Sequence, residues 1–154
     1  MDIQLAAQLL HSGALVAIPT ETVYGLAANA LNADAVVRIF ETKNRPQFDP
    51  LIVHVKDAAE IEKFAASVPE EARKLMEKFW PGPLTIVLRK SKLIPDIVTS
   101  GLDTVGLRMP NHPMALALLR ETGFPLAAPS ANPFGYISPT TAQHVADQLL
   151  SLIH

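Results

Sequence analysis

The chain has 154 residues, of which 49% are hydrophobic and 18% charged, so it can bury the core of one domain without metal or disulfide support. Its 13 Lys and Arg against 15 Asp and Glu give a formal net charge of -2, which offers no electrostatic argument for a dedicated nucleic-acid or membrane-surface binder. The absence of cysteine excludes disulfides, thiolate zinc sites and cysteine nucleophiles.

The sequence predicts a soluble protein. No basic start followed by a long apolar run opens the chain, and no segment reaches the ~18 uninterrupted apolar residues of a membrane span. A chain without cysteine also suits a reducing compartment. We therefore expect a cytoplasmic protein with a single domain over 1–154.

Short apolar runs alternate with helical patterns along the chain. Strands are predicted over 14–20, 51–55, 84–90, 104–109 and 125–128. Helices are predicted to begin at Asp2, at Asn32 or Asp34, at Asp57, at Pro69, at Asn111 or His112 with Pro113, and at Ser138 with Pro139. This mixture predicts an α/β layered domain with a largely covered sheet.

Polar side chains interrupt the core pattern at four strand ends. These stretches are 19–25, 43–55, 105–110 and 128–133. In open α/β sheets, ligands collect at loops beyond the strand ends, so the four stretches are expected to line one crevice. Many of the 13 prolines lie where strands meet loops, which predicts rigid loops suited to a binding site.

The second stretch, KNRPQFDPLIVHV, combines two cations with two prolines. Proline restricts the residue before it, so Arg45 and Asp49 are expected to be extended. Lys43 and Arg45 would then lie on one face, an arrangement that suits a phosphate. Two solvated surface cations are the commoner explanation for such a pair alone. His54, in the apolar run that follows, is either a ligand-binding group or a satisfied core histidine, and the latter is commoner.

The first stretch alternates Thr20, Thr22 and Tyr24. An extended backbone would aim their three hydroxyls at one face, with Glu21 and Val23 facing away. Such a row can bind a small polar ligand. The alternative is a half-buried strand end whose hydroxyls satisfy nearby backbone groups.

The last two stretches each carry polar groups among apolar neighbours. Arg108 needs an anionic partner, which is either a ligand carboxylate or phosphate or, more commonly, one of the protein's own acids. Ser130 and Asn132 offer a hydroxyl and an amide, although turns use the same residue types. No histidine has metal-ligand spacing, and no Walker loop, dinucleotide fingerprint or nucleophile elbow is present.

Taken together, the stretches resemble a known family over about 9–145. In order and wording, the sequence is similar to the YrdC-like threonylcarbamoyl-adenylate synthases in PTETVYGLA, K-x-RP with PLIVHV, FWPGPLTIVL, VGLRMPNHP and APSANPFGYISPTTAQHV. The K-x-R and S-x-N signatures of that family stand here as Lys43-Asn44-Arg45 and Ser130-Ala131-Asn132.

The resemblance implies a twisted, open, mixed α/β sheet with helices and a concave, positively charged cavity. It also implies a nucleotidyltransferase that converts L-threonine, bicarbonate or CO2, and ATP with Mg²⁺ to threonylcarbamoyl-AMP and pyrophosphate. Mg²⁺ would be bound through ATP rather than by protein side chains. A downstream tRNA threonylcarbamoyltransferase would then modify an adenosine of tRNA, and tRNA itself is a further candidate partner.

The resemblance also implies roles for single residues. Lys43 and Arg45 would be catalytic and hold the triphosphate, and Ser130 and Asn132 would contact the nucleotide phosphates. Threonine and its carbamate would be surrounded by Thr20, Thr22, Tyr24, Arg45, His54 and Arg108. No protein nucleophile is needed, so catalysis would rest on positioning and charge stabilisation.

One departure and two alternatives accompany this interpretation. In the family, a glycine-rich turn, a strand with Ser-Thr-Val and an arginine follow the S-P-T-T helix, so the domain is expected to be shortened at its C-terminus. One alternative is an RNA-binding module for tRNA or double-stranded RNA, although no aromatic RNA-binding motif is present. The other is a carbamoyl-adenylate-handling domain like that of hydrogenase-maturation carbamoyltransferases, which occurs in longer chains.

Overall fold

One six-stranded sheet organises the computed structural model, which describes residues 2–46 and 49–131. The strands are β1 (Val16–Ile18), β2 (Gly25–Asn29), β3 (Ile52–His54), β4 (Ile86–Arg89), β5 (Thr104–Arg108) and β6 (Leu126–Ala127). They lie in the order β1-β2-β6-β3-β5-β4. β3 and β5 run parallel, whereas β1–β2, β2–β6, β3–β6 and β4–β5 are antiparallel. The predicted α/β fold with an open, mixed sheet is confirmed.

Five α-helices lie in the described part of the chain. They are α1 (Ile3–His11), α2 (Ala33–Lys43), α3 (Ile61–Phe64), α4 (Glu70–Phe79) and α5 (Pro113–Thr122), and a single 3-10 turn (Ala58–Glu60) precedes α3. The helix predicted to begin at Ser138 lies outside the described residues. None of the helices in the described ranges is long and apolar enough to cross a membrane.

Side-chain caps explain where α2 and α5 begin. Asn32 accepts a hydrogen bond from the Ala35 amide at 3.2 Å, and His112 accepts one from the Met114 amide at 3.1 Å. Each cap satisfies a backbone N–H that has no partner within its helix. In both helices the structure selects one of the two predicted caps. α5 ends at Gly123, whose φ of 76° suits glycine.

β2 is a strand that the sequence analysis did not predict. Its sequence, Gly-Leu-Ala-Ala-Asn, contains no β-branched or aromatic residue, so local propensity gives no strand signal. β2 forms because it lies between two partners, with Ala27 opposite Val16 of β1 and Ala28 opposite Ala127 of β6. The other five strands are present where predicted, although each is shorter than its predicted range.

The sheet packs different helices on its two faces. α1 and α5 cover one face, where Leu10 and Leu118 pack in a cluster with Leu126. α2 lies against the other face, in a larger cluster that contains Val53. Towards the β4 edge the first face is open, because Val87 is 63% exposed there. The α1–α5 layer therefore does not cover β4, and Ile52 of β3, on the same face, is 37% exposed.

Candidate functional site

The open part of the sheet face contains a cleft of about 170 Å³. Its lining residues are Thr20, Thr22, Val23, Gly25, Ile52, His54, Arg108, Ala128, Pro129 and Ser130. Ile52 and His54 are two apart in β3 and so share a face, and Arg108 of β5 lies beside His54. All four predicted polar stretches contribute side chains to this cleft, which extends over the sheet face as well as its ends.

His54 supplies a buried polar group to the cleft. It is 2% exposed, and its Nδ1 forms no hydrogen bond with any described residue. Burial lowers the pKa of His54 to about 4, and the Arg108 charge adds to this effect, although the Leu126 and Ile52 carbonyls oppose it. The ring is therefore neutral near pH 7, with one donor and one acceptor nitrogen. A buried nitrogen without a partner is suited to a hydrogen bond with a ligand.

Arg108 is held by groups from two other segments, the turn between β1 and β2 and the loop that contains Gly82. Its Nη2 forms an ion pair with Glu21 and lies 3.5 Å from the Thr22 hydroxyl, while Nε donates to the Gly82 carbonyl at 3.1 Å. The Arg108 side chain is only 10% exposed, so the Glu21 carboxylate offsets the cost of burying its charge. Of the two predicted kinds of partner for Arg108, the structure shows one of the protein's own acids, Glu21.

The turn between β1 and β2 differs from the predicted extended row of hydroxyls. Thr20 donates its hydroxyl to the Val23 carbonyl at 2.6 Å and accepts from the Thr22 amide at 3.3 Å, which folds the chain into a turn. The Thr20 and Thr22 hydroxyl oxygens lie 3.0 Å apart. The Thr20 and Thr22 side chains line the cleft, whereas Tyr24 packs against the cluster of Leu26 and Ala131. The predicted alternation is wrong because the Thr20 hydroxyl binds local backbone groups and bends the chain.

Lys43 is a buried cation next to the cleft. It is the last residue of α2, and Asn44 follows in a left-handed conformation with φ 53°, so the chain between Lys43 and Arg45 is not extended as predicted. Lys43 is 1% exposed, and its Nζ donates to the Ser130 carbonyl. Burial lowers the pKa of Lys43 to about 8; the Arg45 charge adds to this effect and Asp49 opposes it. An anion bound near Nζ would raise that pKa again.

Arg45 lies on the same segment but folds back onto its own loop. Its Nη2 is 2.9 Å from Asp49 Oδ2 and 3.1 Å from the Pro50 carbonyl. The side chain is 14% exposed and that of Asp49 is 37% exposed. Neither Lys43 nor Arg45 is among the residues that line the cleft, yet Arg45 is close enough for its charge to lower the pKa of Lys43. A phosphate site formed by the two cations stays a prediction.

Backbone and small side chains complete the cleft, and the sequence analysis did not single them out. Gly25 lies where a Cβ would come within 3.3 Å of the Ala128 Cβ, so a larger residue would narrow the space. Glu21, expected to face away from the hydroxyls, instead reaches Arg108. Ser130 lines the cleft, and the predicted site residue Asn132 lies outside the described residues. The sequence could have indicated an acidic partner such as Glu21, because a buried arginine needs an acid nearby to compensate its charge.

The described residues contain no group of three or more His, Cys, Asp or Glu side chains that could hold a metal ion. The cleft instead joins a fixed guanidinium, a neutral imidazole and hydroxyls to apolar groups of Val23, Ile52 and Ala128. Such a combination suits a small ligand that has a carboxylate, a polar group and an apolar part. Lys43 donates a hydrogen bond to the carbonyl of Ser130, which lines this cleft, and so adds positive charge beside it.

Comparison with known proteins yields consistent matches. The family model described as Sua5_yciO_yrdC, telomere recombination, matches residues 8–154. The threonylcarbamoyl-AMP synthase of Bacillus subtilis (strain 168) is 55% identical over 149 residues, which cover 96% of this chain and 43% of the relative. That of Pyrococcus abyssi (strain GE5 / Orsay) is 53% identical over 151 residues, which cover 98% of this chain and 44% of the relative.

A solved structure of P. abyssi Sua5 complexed with L-threonine superposes on the chain with a TM-score of 0.94 and 54% identity. The match covers 95% of this chain and 43% of that chain. The chain thus spans less than half the length of these relatives. The likeness in fold extends over nearly all of the chain.

Proposed function

The chain belongs to the Sua5_yciO_yrdC family, and on this premise we propose that it forms threonylcarbamoyl-AMP and pyrophosphate from L-threonine, bicarbonate or CO2, and ATP. The observation that carries the proposal is the cleft in which His54, with its unpartnered Nδ1, lies beside Arg108. Curated relatives at 53% and 55% identity are threonylcarbamoyl-AMP synthases, which supports this substrate set.

Threonine is assigned to the cleft itself. Arg108 provides the positive charge for its carboxylate, and the hydroxyls of Thr20 and Thr22 provide polar contacts. Val23 and Ile52 offer apolar surface for the threonine methyl group. Neutral His54 offers a hydrogen bond without adding a second charge. A structure of P. abyssi Sua5 with L-threonine supports threonine as the ligand of this fold.

ATP is assigned to the side of the cleft where Lys43 contacts Ser130. The buried Lys43 ammonium would bind phosphate oxygens, and Arg45 would join it after exchanging Asp49 for phosphate. By the S-x-N family signature, Ser130 and Asn132 would contact the nucleotide phosphates. Mg²⁺ would arrive with the triphosphate, because magnesium is commonly held by substrate phosphates with few protein ligands.

The proposed chemistry requires positioning rather than a protein nucleophile. The deprotonated amine of threonine adds to CO2, which forms a carbamate and releases a proton. A carbamate oxygen then bonds to the α-phosphorus of ATP while the bond to the bridging oxygen breaks, so pyrophosphate leaves. Lys43 and Arg45 would stabilise the charge that moves onto the departing pyrophosphate. Arg108 and His54 would hold the amino acid in line for this attack.

The product is a mixed anhydride, which water readily destroys. We therefore place a tRNA threonylcarbamoyltransferase directly after this reaction, in the cytoplasm, as the enzyme that consumes the product. The modified tRNA adenosine is the end point of this sequence of steps.

The test is the release of pyrophosphate from ATP that depends on both threonine and bicarbonate. Lys43→Ala and Arg45→Ala should each reduce the rate about a hundredfold, because each removes a charge from the triphosphate site. Lys74→Ala is the matched control, since Lys74 is an exposed cation on α4, and should retain the full rate.

Full activity in the Lys43→Ala/Arg45→Ala double variant would contradict the phosphate assignment. If carbamoyl phosphate supports pyrophosphate release in place of threonine and bicarbonate, the result would point instead to a carbamoyl-adenylate-handling domain. RNA binding with a steep salt dependence, in a wild-type chain that releases no pyrophosphate, would point to an RNA-binding module.

A further inference from the structure

We infer that Glu21 is a positioning residue, which fixes the guanidinium of Arg108 so that one end of it remains available to the carboxylate of a bound amino acid. This inference rests on the proposed function, in which Arg108 binds that carboxylate. Glu21 lies in the turn between β1 and β2, and Arg108 ends β5, 87 residues away. The contact therefore joins two distant segments across the cleft.

The geometry shows that Glu21 acts through Arg108 and not on the substrate. Its Oε1 is paired with Arg108 Nη2, and its Oε2 accepts a hydrogen bond from the backbone N–H of Asn111 at 2.5 Å. Both carboxylate oxygens are thus engaged by the protein. The carboxylate ties the β1–β2 turn both to the end of β5 and to the residues that precede α5.

The guanidinium is held along one edge. Nε donates to the Gly82 carbonyl at 3.1 Å, and Nη2 pairs with Glu21; these two nitrogens form one side of the planar group. Nη1 forms no hydrogen bond with the residues that the structure describes, and Arg108 lines the cleft. A guanidinium locked along one edge has little freedom left to lose when an anion binds at the other end.

Burial explains why this orientation depends on Glu21. The Arg108 and Glu21 side chains are 10% and 20% exposed, so solvent would compensate little for the loss of the carboxylate. Without the Glu21 charge, the β1–β2 turn would lose its ion pair with Arg108 of β5. The guanidinium would then turn towards water. The Gly82 carbonyl and the Thr22 hydroxyl, which lies 3.5 Å from Nη2, would leave the guanidinium freer to rotate.

The experiment compares Glu21→Gln, which removes the charge at equal size, with Glu21→Asp, which keeps the charge on a shorter side chain. Glu62→Gln is the matched control, because Glu62 forms an ion pair with Arg73 at 2.6 Å on the surface. The Glu62 side chain is 64% exposed and that of Arg73 is 46% exposed. One readout is the Nε–H signal of Arg108 in ¹⁵N-labelled protein, assigned by its loss in Arg108→Lys. The second is the affinity for L-threonine by calorimetry, without ATP.

We expect wild type and Glu62→Gln to show a slowly exchanging Arg108 Nε–H and equal threonine affinity. In Glu21→Gln the exchange should be at least tenfold faster and threonine binding at least tenfold weaker, with Glu21→Asp recovering part of both. Threonine affinity in Glu21→Gln within twofold of wild type would overturn the inference, even with a changed Nε–H signal. An unchanged Nε–H signal in folded Glu21→Gln would also overturn it.

The two proposals fail separately in this experiment. A wild-type chain that binds threonine but releases no pyrophosphate would contradict the proposed activity, while leaving the effect of Glu21→Gln on threonine affinity in place. A wild-type chain that releases pyrophosphate, with a Glu21→Gln variant of equal Michaelis constant for threonine, would retain the activity and overturn the role of Glu21.

Discussion

Two arginine–carboxylate pairs flank the proposed substrates, and they are built differently. Arg108 and Glu21 are 87 residues apart, and their side chains are 10% and 20% exposed. Arg45 and Asp49 are four residues apart, and their side chains are 14% and 37% exposed. The first pair joins separate segments of the fold, whereas the second closes a single loop.

This difference separates a structural pair from a displaceable one. Removing one partner of a buried pair leaves a charge without compensation, whereas a local, partly exposed pair contributes little to stability. Arg108 can therefore serve a ligand only while it keeps Glu21. Arg45, in contrast, can exchange Asp49 for a phosphate at small cost. Under the proposed function, the amino-acid side of the site would accordingly be preformed, and the nucleotide side would rearrange on binding.

The largest expected effect is on stability. Arg108→Ala should lower the free energy of unfolding at pH 7 by about 4 kcal/mol, because Glu21 is left buried without a counter-charge. Arg45→Ala should lower it by about 1 kcal/mol or less. Urea unfolding of both variants measures the difference. Equal losses in the two variants would show that the pairs are not distinct in kind.

A second expectation concerns pH on the Arg108 side of the site. The pKa of His54 in the folded chain is about 4, below the ordinary 6.5, so the unfolded chain takes up the proton first as the pH falls. The stability from neutral His54 is complete above about pH 6.5 and is lost as the pH falls towards 4, by up to about 3 kcal/mol.

Urea unfolding across pH 4 to 7 tests this expectation, with His54→Gln as the variant and His11→Gln, at an exposed histidine of α1, as the comparison. The loss of stability on acidification should be smaller in His54→Gln by the amount that His54 contributes. A pH dependence identical in wild type and His54→Gln would contradict a buried, neutral imidazole beside Arg108.

The smallest expected effect lies on the Arg45 side. Asp49→Asn should strengthen the binding of inorganic triphosphate about threefold, because Arg45 no longer has to exchange a carboxylate for phosphate. Its free energy of unfolding should change by less than about 1 kcal/mol. Calorimetric titration with triphosphate measures the affinity. Weaker binding in Asp49→Asn would mean that Asp49 organises the phosphate site instead of competing for it.

Local signals in the sequence were sufficient for most of the fold. Asp2, Asn32 and His112 begin helices as predicted because a side chain and the amides that it caps are only two or three residues apart. Five strands were predicted for a similar reason, since apolar runs bounded by turn residues are read within one segment. The family signatures were likewise contained in short stretches.

Tertiary structure decided what depends on distant partners. β2 has no strand signal of its own and forms because β1 and β6 flank it. The chain between Lys43 and Arg45 is not extended as predicted, because α2 continues through Lys43 and Asn44 is left-handed, and the Lys43 ammonium is buried against the Ser130 carbonyl. Local patterns cannot show such a contact, since the two residues are 87 positions apart.

The same limit applies to the charges of the cleft. The sequence alone determined that Arg108, among apolar neighbours, needs an anion, because a buried guanidinium is costly without one. Only the fold selected Glu21 from 15 acidic residues, by bringing the β1–β2 turn to the end of β5. Residue types therefore determined which chemistry is required, and the packing of the sheet determined which residues perform it.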